Sequence, residues 1–209
     1  MNPLTPLIAV PIVLAAVLFL LARPANAPGT AIRIPLADEI PHVASKTVTA
    51  QLQGAYPETV AALARKWSKV FKVPVSWIRS QAWAESRNVP TARNEVTGAA
   101  GVLQILPVTA EWLIKGLRKI KNRQVQETLR IGWHGEENDL FNPDVNVMLA
   151  AYYLLLLKKK FGDDHDVVAA AYNAGPNKIA KIIATGGSLP PSSRTYLAMV
   201  ADAKRRGFT

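Results

Sequence analysis

From Tyr56 onward, the apolar residues of this chain recur with the period of an α-helix, which restricts the chain to helical folds. Residues 57–72 show the pattern most clearly, because one helical stripe holds Val60, Leu63, Ala64, Trp67, Val70 and Phe71. No segment alternates polar and apolar residues over the length of a strand. We therefore predict an all-α domain over residues 55–207, and at roughly 150 residues it is large enough to bury its own core.

Start and stop signals divide this region into separate helices. Asn142-Pro143-Asp144 combines an N-cap, a proline at the first helical position and an acidic first turn, and Gly162 is placed to end that helix. Other helices are expected at residues 57–72, 75–86, 109–117, 166–175, 176–186 and from 192 or 193 to 206. The expected N-caps are Ser76, Asp166 and either Ser192 or Ser193, and residues 87–100 are expected to form a loop.

A different pattern opens the chain. Residues 7–22 carry no charge, and their length lies between that of a signal-peptide core and that of a membrane span. Ala25-Asn26-Ala27 fits a small-x-small cleavage site, whereas the first cation, Arg23, follows the apolar run rather than preceding it. Residues 1–27 are thus predicted to be a signal peptide or a membrane anchor, and the proline-containing residues 28–54 an extended spacer.

Two properties of the composition limit the class of protein. The chain has no cysteine, which excludes a disulfide framework, cysteine metal ligands and thiol catalysis. Its net charge of +10 favours a polyanionic partner: nucleic acid, an anionic membrane face or an acidic wall polymer. The basic stretch (residues 115–130) has no interleaved aromatics to stack bases, and no helix-turn-helix is evident, so the sequence does not indicate a nucleic-acid-binding module.

Glu85 is the main candidate for a catalytic group. It falls near the end of the predicted helix 75–86, on the face that also holds Ile78 and Ala82. Burial and the negative end of the helix both raise the pKa of a carboxyl in this place, so that it stays protonated near neutral pH and can act as a general acid. The alternative is a glutamate that faces solvent or pairs with a nearby arginine.

Two further segments carry groups suited to a carbohydrate. The glycine motif (residues 97–107) places Gln104 in an apolar run, where it either binds a sugar or is a satisfied core glutamine. Residues 170–175 place Tyr172 and Asn173 at a helix end, where a ring can pack against a sugar face and an amide can hydrogen-bond to it. Here the alternative is a core tyrosine followed by an asparagine C-cap.

In their order along the chain, these segments resemble the catalytic domain of the soluble lytic transglycosylases, a family with a goose-lysozyme-like fold. The matching pieces are Glu85-Ser86, residues 98–107 with Thr109, Asn142-Pro143 with Asn146, Tyr152, residues 171–176, and Pro191 with Tyr196. The resemblance extends over about residues 57–205, which is nearly the whole helical region. It implies a compact, lysozyme-like helical fold.

The resemblance also implies a reaction. Enzymes of this family are lyases that cut peptidoglycan glycan strands between N-acetylmuramic acid and N-acetylglucosamine and close a 1,6-anhydro ring without water. Glu85 would serve first as acid and then as base, akin to the substrate-assisted exceptions to the two-carboxylate rule. The residues implied to bind substrate are Ser86, Thr97, Gln104, Tyr172, Asn173 and Tyr196. No metal and no organic cofactor is implied.

The sequence departs from the family pattern in two respects that bear on function. Leu103 replaces the methionine that usually precedes the glutamine of the glycine motif. The region from residue 114 to 140 is longer than the family pattern leads us to expect, and it includes the basic stretch, with Lys115, Arg118, Lys119, Lys121, Arg123 and Arg130. This stretch is either a solvated helix face or a rim that binds an anionic wall polymer or a partner protein.

Rival functions would need other groups. A goose-type lysozyme hydrolase would need a second acid to direct water, for which Glu95 and the cluster of Glu136, Glu137 and Asp139 are candidates. A non-catalytic wall-binding module would not need Glu85.

The expected setting follows from the leader and from the resemblance. We expect the periplasm, or an inner-membrane anchor through residues 7–22 facing the periplasm, with a phage virion as the alternative. Secretion-machine, conjugation or phage-particle proteins are further expected partners.

Overall fold

The computed structural model describes residues 56–208, so the predicted leader (residues 1–27) and spacer (residues 28–54) lie outside the described residues. Over residues 56–208 the chain forms α1 (Tyr56–Phe71), α2 (Val75–Ser86), α3 (Pro107–Leu117), α4 (Arg123–Gly132), a 3-10 helix (Glu137–Phe141), α5 (Pro143–Phe161), α6 (His165–Ala174), α7 (Pro176–Thr185) and α8 (Pro191–Arg205). The extended pairing in this part of the chain is limited to two isolated bridges. The all-α prediction is confirmed. Within the same residues, no helix has both the length and the apolar character needed to cross a bilayer.

α5 is the central helix of the core. Its residues 145–151 are buried one after another, which means that neighbours cover nearly its whole circumference. Helices α1, α3, α4 and α6 pack around it. At its first turn, Asp144 accepts hydrogen bonds from Lys66 Nζ at 2.7 Å and Trp67 Nε1 at 2.8 Å, which ties α1 to the start of α5.

The predicted boundaries of α5 are confirmed. Asn142 Oδ1 accepts hydrogen bonds from the backbone N–H groups of Asp144 at 3.0 Å and Val145 at 3.4 Å. Pro143 occupies the first turn, where its missing N–H costs nothing. At the other end, Gly162 adopts a φ of 85°, which a glycine tolerates and which terminates the helix.

Two predicted N-caps are wrong because a residue upstream starts the helix earlier. α2 begins directly after Pro74, so Ser76 lies inside its first turn. α6 is capped by Asp164, whose Oδ1 accepts hydrogen bonds from the backbone N–H groups of Asp166 and Val167 at 2.9 and 3.3 Å. Asp166 therefore supplies an acidic side chain to the first turn of α6 rather than its cap.

The starts of α8 and α4 also differ from expectation. α8 begins at Pro191, which suits the first helical position, so Ser192 and Ser193 fall in the first turn instead of capping it. α3, which contains the first residues of the basic stretch, ends at residue 117. A new helix, α4, begins after Asn122, whose Oδ1 accepts a hydrogen bond from Val125 N at 3.1 Å. The basic stretch is thus divided between two helices and the turn that joins them.

The last helix, α8, packs against both α2 and α6. A small apolar cluster joins the three helices through Ala84, Ala169, Tyr196 and Val200. After α8, the Phe208 ring stacks on Trp83 of α2 with 4.4 Å between centroids. α2 is therefore held from one side by α1 and from the other by α8.

Candidate active site

Glu85 lies in the last turn of α2, the position expected from the sequence. One and two turns before it, Ala82 and Ile78 are fully buried, while Glu85 itself keeps a partial opening to solvent. After Ser86 the helix stops, because Arg87 and Asn88 both adopt left-handed conformations, with φ of 58° and 65°. The carboxyl of Glu85 therefore lies at the edge of the core, where its solvent-facing side can contact a ligand.

The surroundings of Glu85 keep its carboxyl protonated. Although the side chain is partly open, burial raises its pKa from 4.5 to about 8, and a hydrogen-bonding interaction with Tyr196 opposes this shift more weakly. The Tyr196 hydroxyl is buried and makes no other well-formed hydrogen bond among the described residues. At neutral pH the group is thus mainly a neutral acid, which is the form that can donate a proton.

Tyr172 lies beside Glu85. Burial raises the pKa of the Tyr172 hydroxyl well above its usual range, and the nearby charges of Glu85 and Tyr153 act in the same direction. The hydroxyl donates a hydrogen bond to Leu103 O at 2.9 Å. Beyond it, the Tyr153 ring lies 5.2 Å from that of Tyr172, and the Trp112 ring meets Tyr153 edge-on at 6.3 Å. An aromatic row therefore leads from Glu85 through α6 and α5 to α3.

Asn173, also predicted to bind substrate, is buried in the last turn of α6. Its Oδ1 accepts a hydrogen bond from Ser193 Oγ of α8 at 3.4 Å, a long distance for a bond of this type. Tyr196 lies one turn further along α8, facing Glu85. The structure thus brings Glu85, Tyr172, Asn173 and Tyr196 together from three helices, and we call these residues with Ser193 the Glu85 pocket.

The glycine motif is fixed to α5 by Asn146, which is fully buried. Asn146 Nδ2 donates hydrogen bonds to Ala100 O at 2.9 Å and Leu140 O at 3.0 Å, while its Oδ1 accepts one from Leu103 N at 2.8 Å. Gly101 has a φ of 80°, and a Cβ added to it would overlap Leu140 O and Asn146 Nδ2. This Asn146 junction explains why the motif needs a glycine at residue 101.

Within the glycine motif, two predicted substrate ligands also have local partners. Gln104 Nε2 donates hydrogen bonds to Gly101 O at 2.9 Å and Ala92 O at 3.1 Å. That leaves the side-chain carbonyl oxygen of Gln104 as the atom able to receive a hydrogen bond from a ligand. Thr97 Oγ1 accepts a hydrogen bond from Ala99 N at 3.3 Å. The roles of both residues in substrate binding remain predictions.

Ser86 joins the end of α2 to the glycine motif. Its hydroxyl donates a hydrogen bond to Val102 O at 2.7 Å and accepts one from Val89 N at 3.1 Å. These contacts hold the last turn of α2 against the glycine motif. They indicate a structural task for Ser86, and its predicted contact with substrate stays a prediction.

The carboxylates proposed as a second acid are engaged elsewhere. Glu95 is exposed, with 83% of its side chain accessible, and lies 3.7 Å from Arg93. Glu137 pairs with Arg93 at 2.9 Å, and Asp139 accepts hydrogen bonds from the backbone of residues 134–136. None of the carboxylates within residues 56–208 contributes to the raised pKa of Glu85. The same residues contain no group of three or more side chains arranged to hold a metal ion.

Two residues in or beside the Glu85 pocket were not anticipated from the sequence. The resemblance pointed to Tyr152, whose ring packs against Phe71 at 5.5 Å, whereas the adjacent Tyr153 is the ring that meets Tyr172. Ser193 was considered only as a helix cap, whereas it lies buried against Asn173. The sequence spacing could have indicated Ser193, because it lies three residues before Tyr196 and therefore on the same face of α8.

Comparison with known proteins identifies related sequences. The profile of the transglycosylase SLT domain matches residues 62–193. The soluble lytic murein transglycosylase of Escherichia coli (strain K12) is 27% identical over 128 residues, which cover 61% of this chain and 18% of that protein. The peptidoglycan transglycosylase gp16 of Escherichia phage T7 is 32% identical over 123 residues, covering 59% of this chain and 8% of the phage protein. The chain therefore spans less than a fifth of either relative.

Solved structures agree on the fold. An inactive mutant of the lytic transglycosylase Slt from Pseudomonas aeruginosa superposes with a TM-score of 0.55 and 23% identity, covering 72% of this chain and 25% of that one. The 70 kDa soluble lytic transglycosylase of Escherichia coli superposes with a TM-score of 0.50 and 23% identity, covering 70% and 22%. The expected lysozyme-like helical fold is thus confirmed.

Proposed function

This chain belongs to the transglycosylase SLT domain family, and on that premise we propose that it is a lytic transglycosylase acting on the glycan strands of peptidoglycan. The bond cut is the one between N-acetylmuramic acid and N-acetylglucosamine, and the product carries a 1,6-anhydro-muramic end. The two relatives named above are a murein and a peptidoglycan transglycosylase by name, which supports this substrate class.

In the proposed reaction, Glu85 acts twice. Its neutral carboxyl gives a proton to the bridging oxygen as the bond from that oxygen to muramic C1 breaks, and the N-acetylglucosamine end leaves as an alcohol. The muramic N-acetyl oxygen stabilises the positive charge at C1. The Glu85 carboxylate then takes the proton of the muramic 6-hydroxyl while O6 bonds to C1. The ring closes without water, and Glu85 regains its proton.

The observation that carries this proposal is the buried Glu85 carboxyl, which has no second acid beside it among residues 56–208. Burial raises its pKa to about 8, so the acid form predominates at neutral pH, as the first step requires. A hydrolase of the inverting kind would need a second carboxylate to direct water, and the candidates among the described residues are exposed or bound to other groups. A single carboxyl suits ring closure by the substrate's own hydroxyl.

The remaining residues of the pocket would orient the sugar. Tyr172 would form a wall against a sugar face, Asn173 would hydrogen-bond an N-acetyl group or hydroxyl, and Tyr196 would steady the Glu85 carboxyl. At the glycine motif, the free carbonyl oxygen of Gln104 would accept a hydrogen bond from the strand. Ser86 and Thr97, predicted ligands as well, would act mainly by fixing the loop around the site.

The setting is part of the proposal. A wall-cutting enzyme must reach peptidoglycan, so the apolar residues 7–22 would either direct export or anchor the chain in the inner membrane facing the periplasm. The phage relative supports the alternative of a virion component. Secretion, conjugation or phage-particle proteins would then be its partners.

The test is digestion of purified sacculi by the full chain beside its Glu85→Gln variant, with products identified by mass spectrometry. We expect anhydro-muropeptides from the parent and a rate lower by roughly 1,000-fold or more for the variant, because the general acid is lost. The Glu95→Gln variant is the matched control, since it neutralises an exposed carboxyl, and it should match the parent.

Other outcomes would point to other functions. Reducing ends in place of anhydro ends would show a lysozyme-type hydrolase, and a loss of activity in Glu95→Gln would identify its second acid. Binding of sacculi without any product, in parent and variant alike, would indicate a wall-binding module.

A further inference from the structure

The basic stretch presents a run of exposed cations, most of which have no carboxylate partner inside the described part of the chain. Lys115, Arg118, Lys119, Lys121 and Arg123 are all exposed, and none of them lies within 4.0 Å of a carboxylate oxygen among residues 56–208. Arg130, at the end of the stretch, differs because Glu127 accepts hydrogen bonds from its Nε and Nη2 at 3.1 and 2.6 Å. Residues 115–121 therefore hold four cations without a carboxylate within 4.0 Å, and Arg123 beside them interacts with Glu127 only through the longer-range attraction of their charges.

Elsewhere in residues 56–208 some cations are paired and others, such as Arg65, Lys69 and Lys159, are not, so residues 115–123 stand out by holding five cations within nine residues. Lys66 pairs with Asp144 at 2.7 Å, Arg93 with Glu137 at 2.9 Å, and Arg206 with Asp202 at 2.6 Å. At residues 115–123, by contrast, neighbouring like charges repel one another and create a local positive potential. An external anion would remove this repulsion.

The position of the stretch points to the substrate as the source of that anion. The aromatic row from Glu85 ends at Trp112 on α3. Lys115 follows Trp112 by three residues, less than one helical turn and a rise of about 4.5 Å. Along α3, the exposed cations therefore begin less than one turn beyond the last ring of the row, whose members Tyr172 and Tyr153 are buried and half-buried. A strand that is held at Glu85 and continues past α3 would bring its own side groups to these cations.

We propose that residues 115–123 bind the carboxylates of the acidic stem peptides that peptidoglycan carries on its muramic acid residues, while the Glu85 pocket holds the glycan. This inference rests on the proposed function. It makes the basic stretch a determinant of specificity for peptide-bearing strands over bare ones. Glu111, an exposed acid one turn before Lys115, sets the boundary of the surface on the side of α3.

A membrane surface fits these observations less well. Segments that bind a bilayer interface combine cations with an exposed apolar face. Here the apolar residues between the cations are Leu117, which is fully buried, and Ile120, which is half-buried. The stretch therefore offers charge without side chains that could enter the lipid.

The experiment compares two triple variants of the full chain, both in the non-cleaving Glu85→Gln background. The first removes three charges from the stretch, with Lys115→Gln, Lys119→Gln and Lys121→Gln. The matched control removes three exposed charges elsewhere, with Arg65→Gln, Lys69→Gln and Lys159→Gln. Calorimetry would measure binding to glycan oligomers that bear stem peptides and to the same oligomers stripped by an amidase, and circular dichroism would establish that every variant is folded.

We expect the first triple to bind peptide-bearing oligomers roughly tenfold more weakly than the parent, from three exposed charge contacts of modest strength each. The control triple should stay within roughly twofold, and all three proteins should bind stripped oligomers alike. Added salt should reduce the difference, because exposed charges are screened.

Several results would overturn the proposal. An equal loss on stripped oligomers would mean that the stretch binds the glycan or the lactyl carboxylate that the amidase exposes, rather than the stem peptide. An equal loss in the control triple would show that the effect reflects net charge alone. If the first triple lost binding to phosphatidylglycerol vesicles but kept its binding to peptide-bearing oligomers, the stretch would be a membrane-binding surface. Because binding is measured without cleavage, the proposal can hold even if product analysis shows hydrolysis, so the two failures are distinguishable.

Discussion

The Asn146 junction and the Glu85 pocket both place polar side chains against one apolar core, but the side chain of Asn146 is fully hydrogen-bonded and that of Glu85 is not. Asn146 uses both side-chain atoms, in three hydrogen bonds between 2.8 and 3.0 Å. Glu85 is left with a weak interaction to Tyr196, and burial dominates its pKa. The difference teaches that this fold satisfies every hydrogen-bonding atom of the side chain that holds the loop, and leaves the carboxyl proposed to react with few partners.

The largest effect on stability is expected at the junction. Asn146→Ala leaves the Leu103 N–H and the carbonyls of Ala100 and Leu140 buried without partners, which should lower the free energy of unfolding by about 4 kcal/mol. Asn142→Ala, on the same helix, removes a cap alone and should cost about 1 kcal/mol. Urea unfolding followed by circular dichroism measures both. Equal costs would show that the junction contributes no more than an ordinary helix cap.

At the pocket, replacing the ionisable carboxyl should instead raise the free energy of unfolding. The pKa of Glu85 is about 8 in the folded state against 4.5 as the ordinary value. Above pH 4.5 the unfolded chain releases a proton that the folded chain keeps, so the free energy of unfolding falls as pH rises towards 8. Glu85→Gln has no such proton and should exceed the parent in stability by on the order of 3 kcal/mol at neutral pH.

The measurement is thermal or urea unfolding of both proteins between pH 4 and 8. The gap should close near pH 4, where the carboxyl is protonated in both states. A gap that does not change with pH would show that Glu85 is ionised in the folded protein, which would remove the basis of its role as an acid.

The glycines of the motif allow a sharper comparison, because two of them share a backbone conformation but differ in space. Gly101 has a φ of 80° and no room for a Cβ, whereas Gly98 has a φ of 74° and no atom within 4 Å of an added Cβ. Gly98→Ala should cost about 1 kcal/mol from backbone strain alone, and Gly101→Ala about 3 kcal/mol or more once overlap is added. Urea unfolding measures the stability cost of each substitution. Similar costs for the two would show that the junction can relax around an added Cβ.

The smallest effect concerns Tyr196, the hydrogen-bonding partner of Glu85 among residues 56–208. The Tyr196 hydroxyl lowers the pKa of Glu85, so Tyr196→Phe should raise that pKa and move the alkaline limb of the activity profile upward by about half a pH unit. Tyr152→Phe, a half-buried tyrosine on α5 that does not contribute to the pKa of Glu85, is the control. A downward shift would mean that the hydroxyl does not donate to the carboxylate.

The helical architecture was largely predictable because its signals are local. The run Asn142-Pro143-Asp144 predicts the start of α5 correctly, since cap, proline and acidic turn all lie within three residues. The predicted N-caps of α2, α6 and α8 are wrong because residue type alone, serine or aspartate, does not determine where a helix starts. The residue that starts each helix depends on competition with its neighbours, such as Asp164 with Asp166.

The candidate site was predictable only in part. Glu85, Tyr172 and Tyr196 do converge, as the resemblance implied. The sequence did not show that Gln104 Nε2 is already bound by Gly101 O and Ala92 O. Nor did it show that Tyr153 joins the aromatic row. The Gln104 contacts depend on how the loop between α2 and α3 folds back on itself, and the Tyr153 contact depends on how distant helices pack. No local periodicity encodes either.

The meeting of α2, α6 and α8 around Glu85 also couples the acidity of its carboxyl to tertiary packing. Tyr196 and Val200 join Ala84 and Ala169 only when α8 is docked against α2 and α6. A state in which α8 separates from these helices would lose that cover, and the pKa of Glu85 would fall towards its ordinary value, because burial is what raises it. The titration of this one carboxyl therefore reports whether the domain is completely folded.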